Sequence, residues 1–341
     1  MKQNVTLILL VFSLFICVST RAEDSASQFI EFDDKPLQQD IILPEWFKLS
    51  FLDLEEDIAE LKNSNKKGLI VYFGRKDCPY CKTHLEKNWG NKGIGLYTQK
   101  YFDVVAIDVL GVRPVKDVAG TLYPTEKEYS TKLKTNFTPS LLFFDPEGKE
   151  VLRLSGYHPP YQFQAVLEYI ADKHYLKETL RDYLLRAESL TGYEESELND
   201  NEVFGSPPYA FDRRRFASNT PLVVFFEQPT CHACDVLHAG PLRDKKILNQ
   251  LHSMETVQVD VNSDTPILTP EGKKMTATQW AEQLRIYYSP TILFFDEKGK
   301  EIIRIDSVVR FYRLHNVLHY VLSMGYKETS NFQLWRQLHN R

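Results

Sequence analysis

The sequence predicts an α/β protein built as two tandem copies of one unit. Short, wholly apolar runs, the mark of buried strands, alternate along it with amphipathic stretches of helical period. The same ordered set of elements occurs twice, with its Cys-x-x-Cys pairs 153 residues apart and a shared Thr/Ser-Pro step 151 apart. The length of 341 residues suits two domains of ordinary size. Two copies are too few for a solenoid, so each must carry its own core.

Composition narrows the class. Hydrophobic residues make up 43% and charged residues 26%, with 15 Gly and 17 Pro, which excludes collagen-like, low-complexity and wholly disordered chains. The balance of 41 basic to 46 acidic residues gives −5 and lacks the electrostatic footprint of a nucleic-acid binder. Five cysteines, at 17, 78, 81, 231 and 234, are too few to staple a scaffold. Their odd number is explained by the N-terminus. Lys2 precedes an uncharged run from Val5 to Val18, followed by small residues Thr20 and Ala22, the layout of a cleavable signal peptide over residues 1–22. An uncleaved N-terminal anchor is the alternative. A lipoprotein reading of Cys17 is weakened by Ile16, where a small residue is needed. Cleavage leaves 39 basic and 46 acidic residues, net −7, and two matched cysteine pairs.

The elements can be taken in order. Leu69–Phe73 and Leu222–Phe226 read as buried strands, each leading through a polar turn to Cys78-Pro79-Tyr80-Cys81 or Cys231-His232-Ala233-Cys234. Strand-like Val104–Val109 and Thr256–Val261 follow, then helical Thr125–Lys134 and Thr276–Arg285. The strongest match pairs the segment from Thr138 and Pro139 to Asp145 with that from Ser289 and Pro290 to Asp296. A Gly-Lys-Glu turn comes next in both, then a strand holding Arg153 or Arg304. Each copy closes on an amphipathic helix in which Tyr161, Val166, Leu167 and Tyr169 match Tyr312, Val317, Leu318 and Tyr320.

This order of elements resembles the thioredoxin fold. The likeness rests on a Cys-x-x-Cys opening a helix after a buried strand, the Thr-Pro or Ser-Pro before a strand, and the terminal hairpin and helix. It implies two thioredoxin-like domains, each a central mixed β-sheet flanked by helices, with Pro139 and Pro290 cis and lying against the cysteines. The first copy is similar to SoxW-type thioredoxin-related proteins of bacterial periplasms. The stretch Pro44–Leu54, Asp77–Cys81, the insert after Asp108 and Asn136–Pro139 carry that likeness. The second copy is a divergent relative. Thioredoxins have an acidic residue in the strand before the cysteines, where Tyr72 and Phe225 stand here, and a Trp just before them, where Asp77 and Thr230 stand.

The cysteine chemistry follows from position. A cysteine at a helix start is stabilised as thiolate by free N–H groups and the helix dipole. Cys78 and Cys231 are therefore the expected nucleophiles, and Cys81 and Cys234 resolve the mixed disulfide. The backbone of Thr138 and Ser289, exposed beside cis prolines, would pair with an extended substrate peptide. Pro79, Tyr80 and His232 are expected to tune the two potentials. Arg75, Lys76 and Lys82 add positive charge near the first pair against Asp77. Protonated His232 should make the second disulfide the more oxidising, while Asp235 opposes it at Cys234. Two unequal sites could pass a disulfide from the second domain to the first.

Other readings fit these residues less well. Zinc ribbons place their cysteine pairs about 15–20 residues apart, far closer than these. A structural disulfide closing so small a ring removes little chain entropy. His84 and His238 read as surface or packing residues, and Asp108 and Asp260 as loop caps. Tyr161, Tyr169, Tyr312 and Tyr320 read as packing residues, and Gly90, Gly93 and Gly95 as a loop with no phosphate-binding Lys-Ser/Thr. The sequon at Asn136 reads as without meaning.

The expected layout is a signal peptide at 1–22, a flexible segment at 23–43, domain 1 at 44–190 with Lys177–Ala187 extending its last helix, an acidic linker at 191–210, and domain 2 at 211–341. The expected function is a periplasmic or secreted thiol–disulfide oxidoreductase using no cofactor beyond its dithiols and no metal. Its partners would be protein thiols or disulfides and a redox partner protein, not nucleic acid, with membrane contact only through an uncleaved signal. A disulfide isomerase and a non-catalytic adaptor using the proline grooves are the alternatives.

Overall fold

A computed structural model of the chain describes residues 32–188, 197–214 and 217–339. The expected signal peptide and the first six residues of the expected linker lie outside the described residues.

The first domain opens with α1 (Leu54–Ser64), started by the Asp53 carboxylate accepting from the Glu56 N–H at 3.0 Å. Next come β1 (Gly68–Gly74), α2 (Pro79–Thr83), α3 (Lys92–Tyr101) and β2 (Phe102–Asp108). Beyond α2 the helix widens into a π turn over His84–Trp89. A small ribbon of β3 (Val115–Lys116) and β4 (Leu122–Tyr123) precedes α4 (Glu126–Lys132), and β5 (Ser140–Phe144), β6 (Glu150–Ser155) and α5 (Pro160–Ala171) complete the unit. The sheet order is β2-β1-β5-β6, with β1 parallel to β2 and the other pairings antiparallel. Every residue of β1 is buried, which its unbroken apolar run dictates for a central strand.

The second domain repeats this. Its strands are β8 (Leu222–Glu227), β9 (Glu255–Asp260), β12 (Thr291–Phe295) and β13 (Glu301–Ile305), in the order β13-β12-β8-β9 and with the same pairing senses. Around them lie α7 (His232–Ala239), α8 (Lys245–Leu251), α9 (Ala277–Gln283) and α10 (Phe311–Leu322). Even the irregularities match: the register shifts between Phe143 and Phe144 and again between Phe294 and Phe295. The turns that follow hold Gly148 and Gly299 at φ of +82° and +80°, a conformation glycine adopts without penalty.

Three expectations about boundaries meet a different picture. The last helix of domain 1 is not extended: Lys173, at φ +58°, ends it, and α6 (Leu180–Glu188) is a separate helix. Residues 32–43, the described part of the segment 23–43 expected to be flexible, are tied down, with Leu37 N–H donating to Asp77 O and Ile41 N–H to Lys76 O, both at 2.9 Å. The second half of the expected linker belongs to domain 2. Val203 enters its core, and β7 (Tyr209–Ala210) pairs with β10 (Pro266–Leu268), which pairs with β11 (Lys274–Thr276). An acidic composition hid the few apolar residues that make these contacts.

The chain ends in α11 (Gly325–Glu328) and α12 (Phe332–Leu338). Asn331 caps α12, its side-chain carbonyl accepting from Leu334 N–H at 3.0 Å. Phe137 of the first domain packs within the core of the second, 5.5 Å from the Phe332 ring.

Candidate functional site

Each cysteine pair sits where a central strand hands over to a helix. Cys78 caps α2 and Cys231 caps α7, and in both the first sulfur accepts the N–H of the second cysteine, at 3.0 and 3.1 Å. Cys78 is disulfide-bonded to Cys81, and Cys231 to Cys234. The first cysteine of each pair keeps a sliver of exposure, 6% and 8%, while both second cysteines have none. A helix N-terminus aimed at the outer sulfur favours its thiolate once the bond is reduced.

The Thr138-Pro139 and Ser289-Pro290 bonds are cis, as the resemblance implied. The sulfur of Cys78 lies 3.3 Å from Thr138 O and accepts from Thr138 Oγ1 at 3.2 Å; that of Cys231 lies 3.6 Å from Ser289 O. The structure thus brings together the cysteines and the proline loops in both domains.

The expected tuning residues divide. Pro79 opens α2, where its missing N–H costs nothing. Tyr80 is buried, donates its hydroxyl to Asp34 at 2.8 Å and accepts from Arg310 N–H at 2.9 Å. Burial holds its hydroxyl well above the usual tyrosine range, with the Asp34 charge adding to the effect. His232 is exposed at the start of α7. Arg75 is directed away from bulk solvent, donating to Asp77 through Nε at 2.8 Å. Burial works against the Asp77 carboxylate, but the hydrogen bonds and charge of Arg75 outweigh it and hold it below its usual value. Lys82 faces Glu86 instead, at 3.9 Å on the helix surface.

Among the other residues singled out from sequence, Asp108 and Asp260 accept from Leu110 N–H and Asn262 N–H at 2.9 Å, as loop caps. His84 is buried in an aromatic cage with Trp89 and Phe163 at ring distances of 4.4 and 4.7 Å. His238 is a buried partner of Glu227. Glu227 was missed: it ends the apolar run of β8 and is fully buried shortly before Cys231. The other omissions, Asp34 and Arg313, lie far from the cysteines in sequence. Among the described residues no group of three or more His, Cys, Asp or Glu is placed to hold a metal ion, and no helix is long and apolar enough to cross a membrane.

The family model for the thioredoxin-like domain matches residues 54–171 and again 216–322. Among solved structures, a thioredoxin-fold protein from Helicobacter pylori is 24% identical over 37% of this chain and 88% of its own, with a TM-score of 0.32. A thioredoxin from Thermus thermophilus is 22% identical over 36% of this chain and 85% of its own, with a TM-score of 0.29. The NTD_N/C domain of the alkylhydroperoxide reductase AhpF from Enterococcus faecalis is 14% identical over 77% of this chain and 97% of its own, with a TM-score of 0.23. No curated protein matches the chain in sequence. Because the two matched regions together span more than half of its length, the chain belongs to the thioredoxin-like domain family, as a tandem thiol–disulfide oxidoreductase.

Proposed function

We propose that the protein is exported to the periplasm and reduces or exchanges disulfides of other exported proteins through Cys78–Cys81 and Cys231–Cys234. The observation that carries this reading is the outer sulfur in each domain, held at a helix N-terminus beside the carbonyl that precedes a cis proline. The signal-like N-terminus supports export, and the likeness of the first copy to SoxW-type proteins supports a reductive role.

In the reductive direction, the Cys78 or Cys231 thiolate attacks one sulfur of a substrate disulfide. A mixed disulfide forms and one substrate sulfur leaves as thiolate, to be protonated. The thiolate of Cys81 or Cys234 then attacks the outer cysteine, releasing the second substrate thiol. Two electrons pass to the substrate and the protein is left oxidised, so an external thiol donor must restore it. The reaction uses no cofactor beyond the dithiols. His232 beside Cys231, against Pro79 and Tyr80 beside Cys78, supports two unequal potentials and transfer of a disulfide from the second domain to the first.

The test is trapping. Cys81→Ser and Cys234→Ser variants in the native cell should accumulate mixed disulfides with exported proteins, identified by mass spectrometry. Recovery of no partner by either variant sinks the reading. Repair of a scrambled disulfide protein without external reductant would instead assign isomerase activity.

A further inference from the structure

The groove beside the first cysteine pair is filled by the second domain. Thr138 O, the carbonyl that the proposed reading offers to a substrate strand, accepts from Arg313 Nη2 at 2.9 Å. Two residues upstream, Asn136 O accepts from Gln333 Nε2 at 2.8 Å and Asn136 Oδ1 from Phe332 N–H at 3.1 Å. The Arg313 guanidinium lies over the Tyr80 ring, 3.3 Å from its centroid, and Arg75 Nη1 donates to Gln333 Oε1 at 3.0 Å. Asp34 locks the arrangement. Its carboxylate takes the Tyr80 hydroxyl from one domain and the Tyr312 and Arg313 N–H groups at the start of α10 from the other, each at 2.8 Å.

Between these groups and Cys78 remains a cavity of about 20 Å³, lined by Arg75, Cys78, Thr138, Arg313 and Phe332 among others. That is room for a water molecule and not for a peptide strand. At the second pair, by contrast, Thr230 and His232 flank Cys231 in exposed positions.

The closed arrangement also carries unmet demands. Among the described residues, Arg313 Nη1, Ser307 Oγ and the Tyr157 hydroxyl are buried at this junction with no protein group as hydrogen-bond partner. Buried polar groups of this kind cost free energy that exposure to water would recover. Besides the ring contact of Phe137 with Phe332, the domains are joined here by hydrogen bonds and a stacked cation, which water and a substrate backbone can replace.

We infer that the second domain latches the first active site shut: Arg313 and Gln333 occupy the carbonyls a substrate strand needs, and Cys78 becomes reactive toward proteins only when this latch opens. The inference rests on the reading that the Thr138 groove receives substrate. It makes the first domain a latent site, released by whatever separates α10 and α12 from it.

The test uses the full chain, reduced with a phosphine and pulsed with N-ethylmaleimide, with Cys78 and Cys231 followed separately by peptide mass spectrometry. Wild-type Cys78 should react about ten-fold more slowly than in Arg313→Ala, the factor expected if the open state is about one-tenth populated. Asp34→Ala, which leaves the guanidinium in place, should also accelerate Cys78. Cys231 should keep its rate in both and so report that the second domain is folded. Loss of a positive charge near a thiolate would by itself slow Cys78, so acceleration reads opening, and a profile across the thiol's titration range separates the two. Equal Cys78 rates in all three proteins overturn the latch. If the variants expose Cys78 yet reduce no protein disulfide, the latch stands and the oxidoreductase reading of that site falls. If wild type with Cys231→Ser and Cys234→Ser reduces a protein disulfide as fast as the same background with Arg313→Ala, the latch falls and the reading stands.

Discussion

Glu227 Oε2 lies 3.0 Å from His238 Nε2, joining the last residue of β8 to the helix that carries Cys231 and Cys234. Gln258 Nε2 donates to the same oxygen at 3.0 Å, and the glutamate has no exposed surface.

Removing one partner from such a pair leaves a buried group without its complement. His238→Ala should therefore destabilise the second domain by about 3 kcal/mol. His238→Gln, which can still donate, should cost clearly less. Calorimetry of both variants against the wild type checks this. Equal losses for the two would mean that packing around the ring, not the pair, is what matters.

The sequence made the cysteine sites legible because their chemistry is local. A cysteine pair, a helix start and a Thr-Pro or Ser-Pro step each occupy a few adjacent residues, and duplication shows each signal twice. Glu227 was also within reach. A glutamate closing the run Leu222–Phe226 shares the face of Phe225 by strand alternation, two residues nearer the cysteines than the position where an acidic residue was sought. The latch was not legible. It depends on Asp34, Thr138 and Arg313, brought together from three distant segments, and no periodicity in one chain records such a meeting. Asp34 sits in a polar stretch whose composition matches a free tail, and only the α10 N–H groups and Tyr80 explain why it is buried.

The domain junction has a second tight point. Gly156 has φ +93°, and a Cβ there would fall on Ser307 Oγ and within 2.7 Å of Ser307 Cβ. The neighbouring Tyr157 O accepts from Val308 N–H at 3.0 Å, a backbone bond between domains. Gly156→Ala should cost about 2 kcal/mol from the left-handed backbone and the overlap together. It should also raise hydrogen exchange at Val308. Adding Ser307→Gly should recover part of the loss by removing the overlap, while the backbone strain stays. No recovery in the double variant would show that the two residues do not press on one another.

Two imidazoles make the first domain sensitive to acid. Burial pushes His84 down to about 3, with the nearby His158 adding to it, and His158 down to about 4. Both rings stay neutral in the folded protein while the unfolded chain binds protons near its ordinary value of 6.5. Their contribution is thus intact above that value and is lost as pH falls toward the folded values, at up to about 1.4 kcal/mol per pH unit for each ring. The melting temperature should drop steeply between neutral pH and the low end of that window. His158→Gln should flatten the drop. An unchanged slope in that variant would mean His158 is not one of the groups responsible.

Asp306 acts in the opposite sense over part of the same range. Burial pushes its carboxyl up to about 6 against the pull of Arg304, its own backbone N–H and the Tyr287 hydroxyl, which donates to Oδ2 at 3.3 Å. Its pKa is raised, so the folded state holds a proton that the unfolded chain has given up. Stability from this residue is therefore greatest below its ordinary value of 3.8, falls as pH rises toward about 6, and is lowest above that. The full cost at alkaline pH is about 3 kcal/mol. Asp306→Asn keeps an acceptor for Tyr287 and removes the charge, so it should stabilise the second domain by on the order of 2 kcal/mol above neutral pH and by almost nothing in acid. Thermal unfolding at both ends of the range decides it: a stabilisation that does not change with pH would trace to packing, and none at alkaline pH would remove Asp306 as a buried carboxyl working against the fold. The variant should lack the gain in stability that protonating Asp306 gives the wild type as pH falls below about 6.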